Sequence, residues 1–113
     1  MKHIIKDIDT IPAVPTAHHI GLKQVLLSCG DTTSSVTQIA CTQLLQGEQV
    51  EEHVHETMDE HYLFEEGVGV MTIDGIDYDC KSGIYILVPA GCLHSLRAVQ
   101  NMKFFTLGIA YDK

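Results

Sequence analysis

Gly47-Glu-Gln-Val-Glu-Glu-His53-Val-His55-Glu-Thr-Met-Asp-Glu60-His-Tyr-Leu-Phe-Glu-Glu-Gly67 is the stretch whose reading decides the fold. Two histidines at i and i+2 share a face only on an extended backbone, because side chains alternate along a strand and would diverge on a helix. His53 and His55 are therefore read as one strand aiming two imidazoles the same way. Glu60 follows after a polar segment and opens a second alternating run through Tyr62 and Phe64. Two neutral imidazoles and a carboxylate aimed at one point suit a transition metal. A fourth ligand has to come from elsewhere in the chain.

Working outward, the flanking sequence is strand-like throughout. Val68–Ile73 and Ile76–Cys80 alternate on either side of Asp74-Gly75, the signature of a two-residue hairpin with a primed turn. The register sets Ile73 opposite Ile76 and Met71 opposite Tyr78. It predicts a buried face of Met71, Ile73, Ile76, Tyr78 and Cys80, with Asp77, Asp79 and Thr72 on the other. Val68 and Val70 fall on that outer face, where a second subunit could cover them. Residues 22–28, 36–45, 84–88, 94–96 and 102–110 read as further strands, rich in Val, Ile, Leu, Thr and Phe and punctuated by Gly and Pro. No sustained helical period with caps occurs. Eight to ten short strands spell an all-β sandwich or barrel.

The chain has 113 residues, enough for a single domain with its own core. Residues 1–20, with Pro12 and Pro15, read as an N-terminal arm or edge strand, and about 21–110 as the barrel. Hydrophobic residues are 45% and charged residues 19%, the balance of an ordinary folded domain. The net charge of −8 and only seven Lys and Arg argue against nucleic acid and anionic membrane surfaces as partners. The start lacks the apolar core of a secretory signal, and no stretch approaches the ~18 apolar residues of a membrane span. Cys29, Cys41, Cys80 and Cys92 have no C-x-x-C spacing. They are read as reduced, small core residues of a cytoplasmic protein.

The segment Gly83-Ile-Tyr-Ile-Leu-Val-Pro89-Ala-Gly91-Cys-Leu-His94 supplies the fourth ligand. The first stretch fits G-x5-H-x-H-x4-E-x6-G and the second G-x5-P-x-G-x2-H at every fixed position. Together they resemble the two motifs of the cupin superfamily, spanning nearly half the chain. That resemblance implies a double-stranded β-helix, or jelly-roll barrel, with His53, His55, Glu60 and His94 as metal ligands; reasoning from the residues gives the same set. The family's second motif usually closes with Asn four residues after its His. Here Ala98 stands in that place, and since that Asn is not a ligand, the metal site is unaffected.

Three imidazoles and one carboxylate suit divalent Fe, Mn, Ni, Co, Cu or Zn, and affinity alone does not choose among them. Four protein ligands leave an octahedral ion two positions for water, substrate or dioxygen. The first functional expectation is a metal-dependent oxygenase or isomerase. Its small-molecule ligand is expected to be neutral or weakly charged, because Arg97, the one arginine, points outward by alternation from His94. A non-catalytic metal-dependent binding or sensing module is the alternative, and a purely structural metal staple a third. The resemblance suggests a homodimer. Around the site, His61 is expected to face away, only one of Gln38 and Gln43 to approach the pocket, and Tyr62, Phe64, Met71, Tyr78 and Leu96 to form core. His18 and His19 are read as exposed loop residues.

Overall fold

The structure, a computed structural model, describes residues 3–112. The two N-terminal residues of the arm and the last residue of the chain lie outside that range. Among the described residues there are ten strands: β1 (Val14–Pro15), β2 (Leu22–Ser28), β3 (Val36–Leu44), β4 (Gln49–His53), β5 (Met58–Glu66), β6 (Val68–Ile73), β7 (Ile76–Lys81), β8 (Tyr85–Val88), β9 (His94–Ala98) and β10 (Met102–Ala110). Among the described residues, helical structure is confined to the 3₁₀ turns Ile8–Thr10 and Cys29–Asp31. The strands form a six-stranded sheet in the order β1-β2-β3-β10-β5-β8 and a four-stranded sheet in the order β4-β9-β6-β7. Every pairing is antiparallel. The fold is all-β, a jelly-roll barrel.

Two glycine turns show why the chain closes as it does. Asp74 and Gly75 both have positive φ, 48° and 83°, the requirement of a type I′ turn, whose twist matches that of the strands it joins. Gly67, at φ 85°, carries the chain from β5 in one sheet to β6 in the other. A Cβ at Gly67 would collide with the carbonyl oxygen of Asn101, so the crossing needs both the backbone freedom and the missing side chain.

The inward residues of the two sheets meet in one cluster that includes Leu44, Phe64, Met71, Val88, Met102 and Phe104. Tyr62, Phe64 and Phe104 contact one another with ring centroids 5.4–6.0 Å apart, within the favourable range for aromatic pairs. Ala98 is buried in the same cluster. Its backbone ties to Gly47 and Glu48, with the Gly47 N–H donating to the Ala98 carbonyl and the Ala98 N–H to that of Glu48.

The hairpin register is as expected: Met71 pairs with Tyr78 and Ile73 with Ile76. Its buried face is smaller than expected. Ile76 and Tyr78 are 59% and 46% exposed. β7 is the outermost strand of its sheet, and of these residues on it only Cys80 reaches the core. The cysteines also divide. All four are free, Cys41 and Cys80 are buried, Cys92 is partly covered and Cys29 is exposed on a surface turn. Burial pushes the Cys80 thiol up to about 11, which keeps it protonated and unreactive.

Candidate metal centre

Three separate pieces of backbone bring His53, His55, Glu60 and His94 together. β4 and β9 pair with His53 directly opposite His94. Between Val50 and His53 the register shifts, because Val50 faces Leu96 while His53, three residues on, faces His94 only two residues away. Strict alternation from the buried Val50 would turn Glu52 inward and His53 out. The extra residue of this bulge reverses that and re-aims His53 into the barrel. β4 ends there. His55 lies just beyond the strand, in the irregular link to β5, and not on the same strand as His53 as the spacing suggested. Its carbonyl accepts a hydrogen bond from the Gly91 N–H at 2.8 Å, so the Pro89–Gly91 turn that leads into His94 also holds His55. Glu60 is the third residue of β5 and sits beside Gly108 of β10 and Val88 of β8.

One ligand atom from each of the four residues lies within 4.8 Å of the others. Ligands around one cation with bonds of about 2.1 Å stand at most about 4.2 Å apart, so the set is close to a coordination sphere. The ring nitrogens are sorted for the task. His53 Nδ1 contacts the Glu51 carbonyl at 2.8 Å, and His94 Nδ1 the Cys92 carbonyl at 3.0 Å. A carbonyl only accepts, so each Nδ1 carries the proton and each Nε2 presents its lone pair to the centre. The Nε2 atoms of His55 and His94 lie 3.4 and 3.5 Å from Glu60 Oε1. These are charge contacts too long for good hydrogen bonds. Both nitrogens are buried without a hydrogen-bond partner, an expensive arrangement for polar atoms. A metal ion would satisfy both at once, and the cluster could hold one.

The charge states favour ligation. Burial works to raise the Glu60 carboxyl, but contacts from His55, His94 and the Tyr62 hydroxyl outweigh it and hold it well below the usual carboxylate range. Burial lowers His53, keeping its ring neutral, while the neighbouring Glu60 raises His55. The buried Tyr62 hydroxyl donates to Glu60 Oε1, fixing the orientation of the carboxylate.

The cluster sits on the wall of a cavity of about 190 Å³, below the ~300–1,000 Å³ typical of sites for drug-sized ligands. Val50, Leu96 and Phe104 give it apolar walls, and Gln38, Thr42 and Thr106 supply neutral polar groups. Gln38 is the glutamine that enters, whereas Gln43 is exposed and lines a separate cavity with Leu22 and Gln24. His61 faces away and contacts the Tyr85 hydroxyl at 2.5 Å. Tyr62, Phe64, Met71 and Leu96 are core, as expected; Tyr78 is not.

Two residues at the cavity were not anticipated. His18 is exposed, as read, but its ring lies 4.3 Å from that of His53. Lys23 also lines the cavity. Both belong to the arm or the first long strand, and nothing in their local pattern tells that β2 flanks the site. The alternation of β2 puts Lys23 on one face, but which face is inside depends on β3.

Residues 42–108 match the family model described as Cupin domain. Over 64 residues, 57% of this chain, the sequence is 34% identical to the dimethylsulfoniopropionate lyase DddW of Ruegeria pomeroyi. The match covers 41% of that protein, so the chain spans about two fifths of its relative's length. Among solved structures, a predicted oxalate decarboxylase from Thermotoga maritima superposes with a TM-score of 0.87 at 22% identity, covering 95% of this chain and 99% of that one. Ectoine synthase from P. lautus gives 0.83 at 18% identity, covering 96% and 78%. At such identities the likeness is one of fold.

Proposed function

The chain belongs to the cupin domain family, and on that premise we propose that it is a metal-dependent enzyme acting on a small molecule. His53, His55, Glu60 and His94 hold a divalent transition metal, and the ligand occupies the adjoining cavity. The observation that carries this reading is the pair of buried, unpartnered Nε2 atoms aimed at an ionised carboxylate on the wall of that cavity. A structural staple would be closed off by protein on all sides, whereas this cluster borders open space.

A divalent ion there supplies Lewis-acid activation of a bound group. The chain supplies the rest. The carbonyls of Glu51 and Cys92 fix the rings of His53 and His94, and Tyr62 holds Glu60 in position. Val50, Leu96 and Phe104 limit water around the ligand. Of the forms open to such a site, isomerisation or elimination is favoured over oxygenation by the partial similarity to a lyase. A homodimer in the cytoplasm belongs to the same reading. The exposed row Leu63, Tyr85 and Leu87 on the outer face of the six-stranded sheet supports self-association.

The test is to load the protein separately with Fe(II), Mn(II), Co(II), Ni(II), Cu(II) and Zn(II). A panel of small molecules is then followed by proton NMR, with an oxygen electrode run in parallel. One metal per chain and turnover that disappears in His94→Ala are expected, without oxygen consumption. Stoichiometric oxygen uptake would move the assignment to an oxygenase. A molecule that co-purifies and returns unchanged, with no turnover under any metal, would make the chain a binding or sensing module instead.

A further inference from the structure

We propose that Lys23 anchors a carboxylate group of the ligand, so that the site takes a small carboxylate reaching from Lys23 to the His/Glu cluster. This deepens the reading above and rests on it. Lys23 lies on β2, paired with Thr42 of β3, and lines the cavity together with Thr42 and Gln38. Its Nζ donates to Gln38 Oε1 at 3.2 Å, a neutral acceptor. Among the described residues no carboxylate forms an ion pair with it. An ammonium has three donors, and this contact uses one.

The charges inside the cavity make the point quantitative. Among the described residues, Glu60 is the single acidic residue on its lining and Lys23 the single Lys or Arg. With neutral imidazoles the two cancel. A divalent ion then leaves the lining with a net charge of about +2, beside the apolar walls of Val50, Leu96 and Phe104. Unlike charges attract more strongly in such surroundings than in water, so an anionic guest is favoured. The exterior does the opposite, with −8 over the chain, so the preference is local to the pocket. The sequence led to the expectation of a neutral or weakly charged ligand because Arg97 points out, and Arg97 is indeed exposed; Lys23 is the cation that favours a carboxylate. A phosphate calls for several cationic or N–H donors; beyond Lys23 the lining away from the cluster offers only His18, Gln38 and threonines, with no second Lys or Arg among the described residues. The small cavity fits a carboxylate of a few carbons.

The test uses the full chain loaded with Co(II), whose visible absorption reports ligands entering the coordination sphere. Malonate, inorganic phosphate and neutral imidazole are titrated against wild type, Lys23→Met and Lys23→Arg, with calorimetry for affinity. Lys23→Met is expected to weaken malonate at least tenfold, leaving cobalt stoichiometry, the thermal midpoint and imidazole binding unchanged. Lys23→Arg should restore most of the malonate affinity. Equal malonate affinity in Lys23→Met and wild type would overturn the anchor, as would phosphate binding more tightly than malonate. A wild-type chain that takes up no cobalt fails earlier, and removes the metal reading along with this one.

Discussion

The two halves of the barrel interior are built from the same strands to opposite ends. On one side of Tyr62, Phe64, Leu44, Met71, Met102 and Cys80 pack to near-complete exclusion of solvent. On the other, the same sheets leave a cavity and crowd three imidazoles and a carboxylate around it, two of the ring nitrogens without partners. Tyr62, Leu96, Val50 and Phe104 belong to both, being part of the core cluster and part of the cavity wall. The packed half supplies stability by burying apolar surface. The open half spends some of it on polar atoms that an ion would satisfy.

If that division is right, mutations on the two sides separate by whether their effect depends on metal. Phe64→Ala, in the packed half, is expected to cost about 3–5 kcal/mol in urea unfolding, equally with and without metal. A smaller loss confined to the loaded protein would break the comparison. His94→Ala should behave in the reverse way. Without metal its stability should fall far less than that of Phe64→Ala, because the lost Nδ1 contact with the Cys92 carbonyl is offset by removal of a buried Nε2 that has no partner. What it should lose is the stabilisation by metal, about 2.7 kcal/mol when free metal is one hundred times its Kd. Persistent stabilisation of His94→Ala by metal would show that the cluster is not the site. Tyr62→Phe sharpens the boundary itself, since it keeps the ring in the core and removes only the hydroxyl on Glu60. Metal affinity is expected to drop roughly 10–100-fold in competition with a chromophoric chelator, with urea unfolding of the metal-free protein little changed.

The smallest effect lies outside both halves. Asp59 accepts from the Tyr111 hydroxyl at 2.7 Å and the Ala90 N–H at 2.9 Å, pinning the Pro89–Gly91 turn to β5 and the C-terminal end. These contacts, Tyr111 first, hold its carboxyl below the ordinary 3.8. A carboxyl depressed in the folded state adds stability above the unfolded value, and that stability is lost as pH falls through the folded value. Acid unfolding of Asp59→Asn, followed by circular dichroism, should therefore lack this part of the slope below pH about 4. An unchanged acid limb would mean the contact carries no weight.

Much of this was written along the chain. The alternation on either side of Asp74-Gly75 determined the hairpin and its register, because a two-residue turn with two positive φ values leaves the strands no other pairing. The spacings around His53, His55, Glu60 and His94 picked out the four residues that come together. Such patterns are legible because they are local, with the period of a strand and the stereochemistry of a turn acting within a few residues.

Other features depended on strands distant in sequence. The bulge before His53 is visible only against β9, and without it the alternation from Val50 would point that ring the wrong way. Ile76 and Tyr78 have the pattern of buried residues but sit on an edge strand, and sheet order is a property of the whole fold. Lys23 and His18 come to the cavity because β2 and the turn before it lie beside β3, while their own neighbours in sequence say nothing of it. The sequence by itself determined which residues form strands, where they turn and which four side chains converge. Only the tertiary structure decided which faces are covered and what else borders the cavity, because burial is a relation between surfaces and no single segment contains both of them.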